Sequence, residues 1–453
     1  MDVLNNLNVA ISDSCNADLY AKFLPKKVNF SSSEDISAFF EASDKDFSLL
    51  IFENITLKEE ILSEIISLSG DFSMLYSEYY DNINKKVPLC DYLEGSLRDD
   101  FDFGKCIIVN NAKAKKAVKA QKEKLFHAGL YDFRLKISRL GKILKTESFY
   151  TLYNSGNSSE DFETAHFAYC DPKNRDYQIE AEKVFTQYLE TINAKIPPVN
   201  TEVKDFDLLV KTFKTLASII IPVKNRPDTI LTAINSALNQ KTNFPFNVIV
   251  VDNHSESLTT EKIRSIKNPA LVHVIPEETD LGIGGCWNKA INSPYCGAFA
   301  VQLDSDDVYS SDDVLQKIVD VFLREKCGVV IGSYRLTDFQ MRPLNDIIID
   351  HREYTKENGV NNALRVNGFG APRCYFTPII RENPFENLSY GEDYDLCLRL
   401  SRQYKLERIF DVLYLCRRWC GNSDAGLSLE AMVKNNTLKD SLRTRELKLR
   451  ISK

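Results

Sequence analysis

Phe299-Ala-Val-Gln-Leu-Asp-Ser-Asp-Asp-Val308 is an apolar run that ends in three carboxylates, Asp304, Asp306 and Asp307. The apolar part predicts a buried strand, and the acids come where that strand ends. Open α/β sheets bind ligands at the carboxyl ends of their strands, and hard divalent cations prefer carboxylate oxygens. We therefore expect a cation site here. An acidic helix start is the structural alternative, because acids also favour the first turn of a helix.

The composition excludes some classes of function. The chain has 453 residues, of which 43% are hydrophobic and 27% are charged, as in ordinary soluble proteins. Its net charge of -7 argues against a nucleic-acid-binding protein, which would present a basic domain. We find no signal peptide and no apolar stretch long enough for a membrane span, so we expect a cytoplasmic protein without an integral membrane segment. The 11 cysteines lack zinc-ligand spacing and are expected to be reduced thiols.

Strand–helix–strand patterns occur in both halves of the chain. Ile196-Pro-Pro-Val-Asn200 separates them, because two prolines end a helix and stiffen the segment after it. A Ser-, Asn- and Gly-rich loop is predicted at 156–161. We predict a smaller α/β domain at 1–195, a linker at 196–214, a larger α/β domain at 215–425 and a basic helical tail at 426–453. The tail is expected to be solvated, with peripheral contact to a membrane as the alternative.

Three segments of the first half resemble three of the second, in the same order. The pairs are residues 47–66 with 299–319, 101–104 with 367–370, and 127–139 with 390–402. The acids at 304–307 are largely missing from the first copy, and Gly129-Leu130 stands where the second has Glu392-Asp393. We therefore predict a degenerate, non-catalytic first copy, truncated because too little chain precedes Phe47 to match residues 218–298. Chance similarity between short motifs is the alternative.

Five motifs of the second half stand in a fixed order. They are Ser218-Ile-Ile-Ile-Pro-Val-Lys-Asn225, Val250-Val-Asp252, Asp304-Ser-Asp306, Gly391-Glu-Asp-Tyr-Asp395 and Arg418-Trp419. Together they resemble family 2 inverting glycosyltransferases of GT-A fold, over about residues 215–425. The resemblance implies a Rossmann-like mixed sheet, a divalent metal (Mn²⁺ or Mg²⁺), and transfer of a sugar from a nucleotide diphosphate donor to an acceptor hydroxyl. The first half would then be a smaller, degenerate GT-A-like domain.

The resemblance assigns residues to the donor and the metal. Asp306 and Asp304 are expected to hold the metal, whose charge makes the diphosphate a better leaving group. Asp252 is expected to accept a hydrogen bond from the imide of the nucleotide base. His254 is expected to contact the nucleotide, and an ordinary polar surface role is the alternative for it. The segment Gly282-Ile-Gly-Gly285 predicts a helix start that suits an anion, or a purely structural helix entry. The expected nucleotide-sugar ligands are Pro222, Asn225, Asp252, His254, Gly285, Asn288, Asp304 and Trp419.

Inversion by direct displacement requires a general base that takes the acceptor proton. By resemblance this base is Asp393, with Glu392 as the alternative, and a helix-capping role would be the structural explanation of the pair. Arg418 follows the predicted strand at 410–415 and is expected to stabilise the leaving diphosphate. The residues expected to contact the acceptor are Gly370, Arg373 and Trp419.

The predicted function is a metal-dependent inverting glycosyltransferase of the hexosyl or N-acetylhexosaminyl type. By resemblance, its donor is a UDP-sugar and its acceptor a glycan or lipid-linked glycan of surface polysaccharide synthesis. Processive members have Gln-x-x-Arg-Trp, and Leu415 replaces the Gln here, which speaks against a synthase that extrudes its product. The alternatives are a non-catalytic nucleotide-sugar or carbohydrate-binding protein and a sugar-nucleotide pyrophosphorylase. The latter would have a glycine-rich loop where this chain has Pro222-Val-Lys-Asn225.

Overall fold

The computed structural model describes residues 6–68, 70–153, 172–422 and 425–452. The chain divides into two compact units, one of Met1–Lys195 with Leu427–Lys453 and one of Ile196–Gly426. The loop predicted at 156–161 lies outside the described residues. None of the described helices has both the length and the apolar character needed to cross a membrane.

The first unit is built on a mixed sheet with the strand order β2-β1-β3-β8-β5-β9, beside a small sheet β4-β10-β6-β7. The strands are β1 (Leu7–Ile11), β2 (Lys26–Lys27), β3 (Phe47–Ile51), β4 (Ile55–Leu57), β5 (Phe72–Ser77), β6 (Tyr79–Tyr80), β7 (Lys86–Val87), β8 (Cys106–Asn110), β9 (Lys142–Thr146) and β10 (Tyr150–Leu152). The helices are α1 (Ser33–Glu41), α2 (Glu59–Leu68), α3 (Asn111–Lys119), α4 (Gly129–Ile137) and α5 (Arg175–Thr191).

The C-terminal helix, Leu429–Ile451, belongs to the first unit and is not a separate solvated tail. Its Asp440 is fully buried and accepts hydrogen bonds from Arg98 Nε (3.3 Å), Ser96 Oγ (3.0 Å) and Arg443 Nη1 (2.9 Å). A buried carboxylate is tolerated only when it is paired in this way. The basic residues of the helix suggested a solvated tail. The burial of the helix could not be predicted, because its partners come from a distant segment of the chain.

The second unit has the sheet order β13-β12-β11-β14-β18-β16-β19-β15, with β17 paired to β16. Its strands are β11 (Ala217–Val223), β12 (Phe246–Asp252), β13 (Leu271–Val274), β14 (Phe299–Gln302), β15 (Val308–Tyr309), β16 (Val329–Thr337), β17 (Pro343–Ile349), β18 (Arg373–Phe376) and β19 (Leu406–Arg417). Its helices are α6 (Phe206–Val210), α7 (Ile230–Leu238), α8 (Ser257–Ser265), α9 (Ile283–Ile291), α10 (Val314–Glu325), α11 (Gly359–Asn362), α12 (Thr377–Glu382) and α13 (Glu392–Ser401). This mixed α/β architecture confirms the predicted fold class.

The predicted linker at 196–214 is packed within the second unit. Phe206 of α6 is buried, with its ring centroid 4.5 Å from that of Phe376. The side chain of Asn361 donates to the Ile196 carbonyl (2.9 Å) and accepts from its N–H (3.0 Å). The segment therefore does not behave as a free linker, because it buries an aromatic ring in the core.

Five strands of each main sheet share one order and one set of directions, as the repeat predicted. In the first unit β1 is parallel to β3, β3 and β5 are both antiparallel to β8, and β5 is parallel to β9. In the second unit β11, β14, β18, β16 and β19 repeat these relations in the same order. The expected truncation before Phe47 is only partly right. β2 pairs in parallel with β1 as β12 does with β11, and α1 precedes β3 as α9 precedes β14, so the leading half is present in shortened form.

Candidate functional site

The acids at the end of β14 form a turn that is held by β19. The Asp307 N–H donates to the Asp304 carbonyl (3.2 Å), and the Asp304 N–H donates to Tyr414 Oη (2.9 Å). The Arg417 N–H donates to Asp307 Oδ1 (2.7 Å). The turn leads into β15, and the next helix begins only at Val314. The acids are therefore not the first turn of a helix, which removes the structural alternative for them.

This turn concentrates negative charge. Burial, with the charges of Asp306 and Asp304, raises the pKa of Asp307 well above its usual value. Burial also raises the pKa of Asp304, although Arg373 and Gln302 oppose it. A divalent cation would relieve this repulsion, and carboxylate oxygens suit Mg²⁺ and Mn²⁺. The residues present therefore fit the implied metal.

No group of three or more His, Cys, Asp or Glu side chains in the described part of the chain is arranged to hold a metal ion by itself. Mg²⁺ sites in nucleotide enzymes commonly take one or two protein carboxylates and complete their shell with water and substrate phosphates. The partly exposed side chains of Asp304 and Asp306 match that pattern, whereas Asp307 is only 3% exposed.

Asp306 and Trp419, which lie far apart in the sequence, are in contact. Asp306 Oδ2 accepts from Trp419 Nε1 (3.1 Å) and from Asn422 Nδ2 (3.2 Å). Arg226 Nε lies 4.0 Å from the same oxygen. Sequence reasoning missed Asn422 and Arg226, although each closely follows a recognised motif residue. Asn422 also accepts from the Trp419 N–H (2.7 Å), so it orients both the acid and the indole.

An aromatic surface lies beside Asp306. The ring centroids of Trp419 and Phe339 are 5.2 Å apart, and the Arg417 guanidinium lies 5.0 Å from the Phe339 ring. Phe339 comes from the turn between β16 and β17 and is 38% exposed. Nothing in the sequence pointed to Phe339. Arg418 belongs to the same surroundings, with its N–H donating to the Thr337 carbonyl (2.8 Å).

A chain of polar contacts joins the acid turn to the start of α13. Gln302 Nε2 lies 3.0 Å from each carboxylate oxygen of Asp304, and Gln302 Oε1 accepts from the Arg373 N–H (3.0 Å). Arg373 Nη1 lies 2.6 Å from Asp393 Oδ2 and donates to the Gly370 carbonyl (2.9 Å). The structure thus brings together Asp304, Arg373, Gly370 and Asp393, all predicted separately.

Glu392 and Asp393 begin α13 but differ in environment. Burial, and next the charge of Asp393, raises the pKa of Glu392 to about 8. Glu392 Oε2 is buried and has no hydrogen-bond partner among the described residues. The residue before them is Gly391, with φ of 77° and no side chain to complete a capping box. Asp393 Oδ1 does accept from the Tyr394 N–H (2.7 Å), so its charge also faces the helix start.

Asp252 ends β12 and is fully buried. Its carboxylate accepts from the Ser255 N–H (3.0 Å), Thr260 Oγ1 (2.6 Å) and His273 Nε2 (3.3 Å). Burial favours a raised pKa, but these hydrogen bonds outweigh it and lower the pKa of Asp252. The acid is therefore ionised, and it organises the loop after β12 from within.

The loops after β11 and β12 bring Asn225 and His254 together beside Asp252. Asn225 Oδ1 accepts from the Glu256 N–H (2.7 Å), and His254 Nε2 donates to the Glu278 carbonyl (2.8 Å). Both residues have φ of 53°, and both are exposed. Pro222 is in β11 next to this loop pair.

The glycine run at the start of α9 packs against segment 385–388. A Cβ on Gly284 or on Gly285 would collide with that segment. The Gly284 N–H donates to a carbonyl of the segment (2.9 Å), and the Asn288 side chain exchanges two hydrogen bonds with the Phe385 backbone (2.9 and 3.0 Å). This geometry favours the structural alternative for Gly285 and Asn288. The packing fixes the chain that leads into α13.

Gly370 has φ of 101°, a conformation that glycine adopts without strain. A Cβ there would lie 3.1 Å from both Arg408 and His351. His351 is buried, with Nδ1 2.7 Å from Glu353 Oε1. The loop that carries Gly370 is therefore supported from behind by a buried polar cluster.

Part of the chain is similar to a known protein family. Residues 218–371 match the family described as glycosyl transferase family 2. No curated protein matches the chain. Among solved structures, S. aureus TarS 1-349 in complex with UDP-GlcNAc is 18% identical, covers 52% of this chain and 72% of its own, and has a TM-score of 0.39. The mannosyltransferase PcManGT from Pyrobaculum calidifontis, in complex with GDP-Man and Mn²⁺, is 15% identical, covers 63% and 84%, and has a TM-score of 0.36.

Proposed function

We propose that the second unit, whose residues 218–371 match glycosyl transferase family 2, is a metal-dependent inverting glycosyltransferase that uses a nucleotide diphosphate sugar. One observation carries the proposal. The acid turn of Asp304 and Asp306 is joined to Asp393 through Gln302 and Arg373. The residues that we assign to the diphosphate and to the base are thus linked by one continuous set of contacts.

Asp306 and Asp304 would hold the metal, which would neutralise the diphosphate and make it a better leaving group. Trp419 and Asn422 orient Asp306 by donating to one of its oxygens, which leaves the other oxygen for a cation. Arg226, 4.0 Å from Asp306, and Arg418 are the cations we assign to the phosphates. We assign the base of the nucleotide to the loops of Asn225 and His254, supported by Asp252.

Asp393 is the proposed general base. It takes the proton of the acceptor hydroxyl as the hydroxyl oxygen attacks the anomeric carbon and the diphosphate leaves from the opposite face. The pKa of Glu392, about 8, means that this carboxyl keeps its proton at neutral pH and is a poor base there. Arg373 Nη1, 2.6 Å from Asp393 Oδ2, orients the Asp393 carboxylate.

We propose that the acceptor is a glycan or a lipid-linked glycan. Trp419 and Phe339 offer an aromatic surface on which the apolar face of a sugar can stack. Gly370 and Arg373 shape the loop next to Asp393, since the Gly370 carbonyl accepts from Arg373 Nη1. The described cysteines are free thiols, and most are buried, which suits a reducing compartment such as the cytoplasm. UDP is the proposed nucleotide on family resemblance.

We propose that the first unit is non-catalytic. Counted from Phe47 and Phe299, which begin β3 and β14, Phe52 stands where Asp304 stands, and by the sequence repeat Leu130 stands where Asp393 stands. Tyr20 further fills this region, with Oη accepting from the Ile55 N–H (2.7 Å). Neither the cation ligand nor the base has a counterpart there.

The test is incubation with a panel of UDP- and GDP-sugars and Mn²⁺, followed by measurement of donor hydrolysis and of transfer to glycan acceptors. Asp306→Ala is expected to abolish Mn²⁺-dependent nucleotide binding. Asp393→Asn is expected to retain binding and lose transfer by a factor of about 10² to 10⁴. Binding without hydrolysis or transfer in the unaltered protein would instead indicate a non-catalytic binding protein. Full transfer by Asp393→Asn would refute the assigned base.

A further inference from the structure

Gln302 is a polar side chain inside the sheet, only 3% exposed. A buried amide is costly unless its polar atoms are hydrogen-bonded. Both polar atoms of the Gln302 amide are hydrogen-bonded to residues of the candidate site. Nε2 donates to the Asp304 carboxylate, and Oε1 accepts from the Arg373 N–H. The Gln302 carbonyl also accepts from Tyr309 Oη (2.8 Å). Among the described residues, its side chain is thus committed to two functional residues and to no other partner.

The first unit shows what stands at this position when the acids are missing. In β3 and β8, Leu50 pairs with Ile107. In β14 and β18, the register continues from Val301 with Cys374 to Gln302 opposite Arg373. When Phe47 is matched with Phe299, as in the sequence repeat, Leu50 corresponds to Gln302 and Ile107 to Arg373. Where the acids are lost, the amide and the guanidinium are lost with them, so the strand itself does not require glutamine.

We propose that Gln302 is a positioning residue that orients the Asp304 carboxylate for the metal-diphosphate and ties it to the Arg373–Asp393 ion pair. This inference rests on the proposed function. The contact is a hydrogen bond from an amide to a carboxylate in a buried setting, which is among the stronger hydrogen bonds in proteins. Residues that orient metal ligands in this way typically contribute about 10- to 100-fold to metal affinity or activity.

The test is Gln302→Leu, which copies the residue at the equivalent place in the first unit. Binding of UDP and GDP would be measured by calorimetry with Mn²⁺ and with EDTA. We expect about 10- to 100-fold weaker Mn²⁺-dependent nucleotide binding, with little change in EDTA. In transfer assays kcat is expected to fall, while the acceptor KM stays nearly constant. Gln302→Met keeps an unbranched side chain and serves as a second variant in case Gln302→Leu folds poorly. It is expected to weaken Mn²⁺-dependent nucleotide binding to a similar extent.

The matched control is Ser218→Ala on the neighbouring strand β11. Ser218 is also buried, and its replacement by alanine removes two hydrogen bonds, with Asn247 (2.6 Å) and with the Gly297 N–H (2.8 Å). Ser218, however, lies at the amino end of β11. It is expected to lower the melting temperature without weakening Mn²⁺-dependent binding. Unchanged Mn²⁺-dependent affinity in both Gln302 variants, or an equal loss in Ser218→Ala, would overturn the role of Gln302. If the unaltered protein bound neither nucleotide with Mn²⁺, the proposed function would fail, and the inference with it.

Discussion

Replacing Glu392 by glutamine tests the charge state at the start of α13. Burial and the charge of Asp393 raise the pKa of Glu392 from 4.5 to about 8, with Arg373 opposing the shift and Asp304 adding to it. Between these two pH values the folded protein holds a proton that the unfolded chain has lost. The free energy of unfolding therefore falls as pH rises through this window. Glutamine cannot ionise, so it removes this dependence.

The size of the effect can be worked out from the shift. At about 1.4 kcal/mol for each pKa unit, the rise from 4.5 to about 8 corresponds to on the order of 5 kcal/mol. We expect Glu392→Gln and the unaltered protein to differ least near pH 5. The advantage of the glutamine variant should then grow up to about pH 8 and level off beyond it.

The assay is urea denaturation at pH values from 5 to 9, in EDTA and without nucleotide. The chain has 2 tryptophans, Trp287 and Trp419, both in the second unit, so their fluorescence reports on the unit that carries Glu392. Glu382→Gln, an exposed acid at the end of α12, is the control and should leave the pH dependence unchanged. A constant difference between Glu392→Gln and the unaltered protein across this range would refute the raised pKa.

Two further substitutions probe separate parts of the molecule. Asp440→Ala removes the carboxylate that two buried guanidinium groups share, so we expect the free energy of unfolding of the first unit to fall by about 3–5 kcal/mol in denaturant titrations followed by far-ultraviolet circular dichroism. A loss below about 1 kcal/mol would contradict this. Phe339→Ala removes the ring that packs on Trp419, and the acceptor KM should rise several-fold while nucleotide affinity stays the same. An equal loss of nucleotide affinity would show that Phe339 serves the donor instead.

Much of the fold could be predicted because strand patterns are local. The apolar run from Phe299 was predicted to be a strand that ends in acids, and β14 runs from Phe299 to Gln302. β19 runs from Leu406 to Arg417, longer than the predicted strand at 410–415, because its ladder with β16 supports residues that lack a clear apolar pattern. The C-terminal helix was recognised as a helix, but its burial depends on partners near residue 98 that no local pattern reveals.

At the candidate site, the sequence alone identified the acids at strand ends and at a helix start, because clustered carboxylates after apolar runs are a local signal. Four contributions depended on the tertiary structure: the contacts of Gln302, the aromatic partner Phe339, the closeness of Arg226 and Asn422 to Asp306, and the packing of the glycines in α9. Apart from the contact of Gln302 with Asp304, two residues away, each joins residues that are remote in the chain, so it is defined by a distance in space and not by a spacing in the sequence.

The same division holds for charge. The sequence determined that Glu392 and Asp393 are adjacent acids, and it could not distinguish their roles. Only the fold decided that Glu392 buries an oxygen with no hydrogen-bond partner in the described chain while Asp393 meets Arg373, because burial and pairing act on a pKa through the surrounding atoms. The two neighbouring acids thus acquire different surroundings, and the acid turn at 304–307 is connected to Asp393, only when the sheet is assembled.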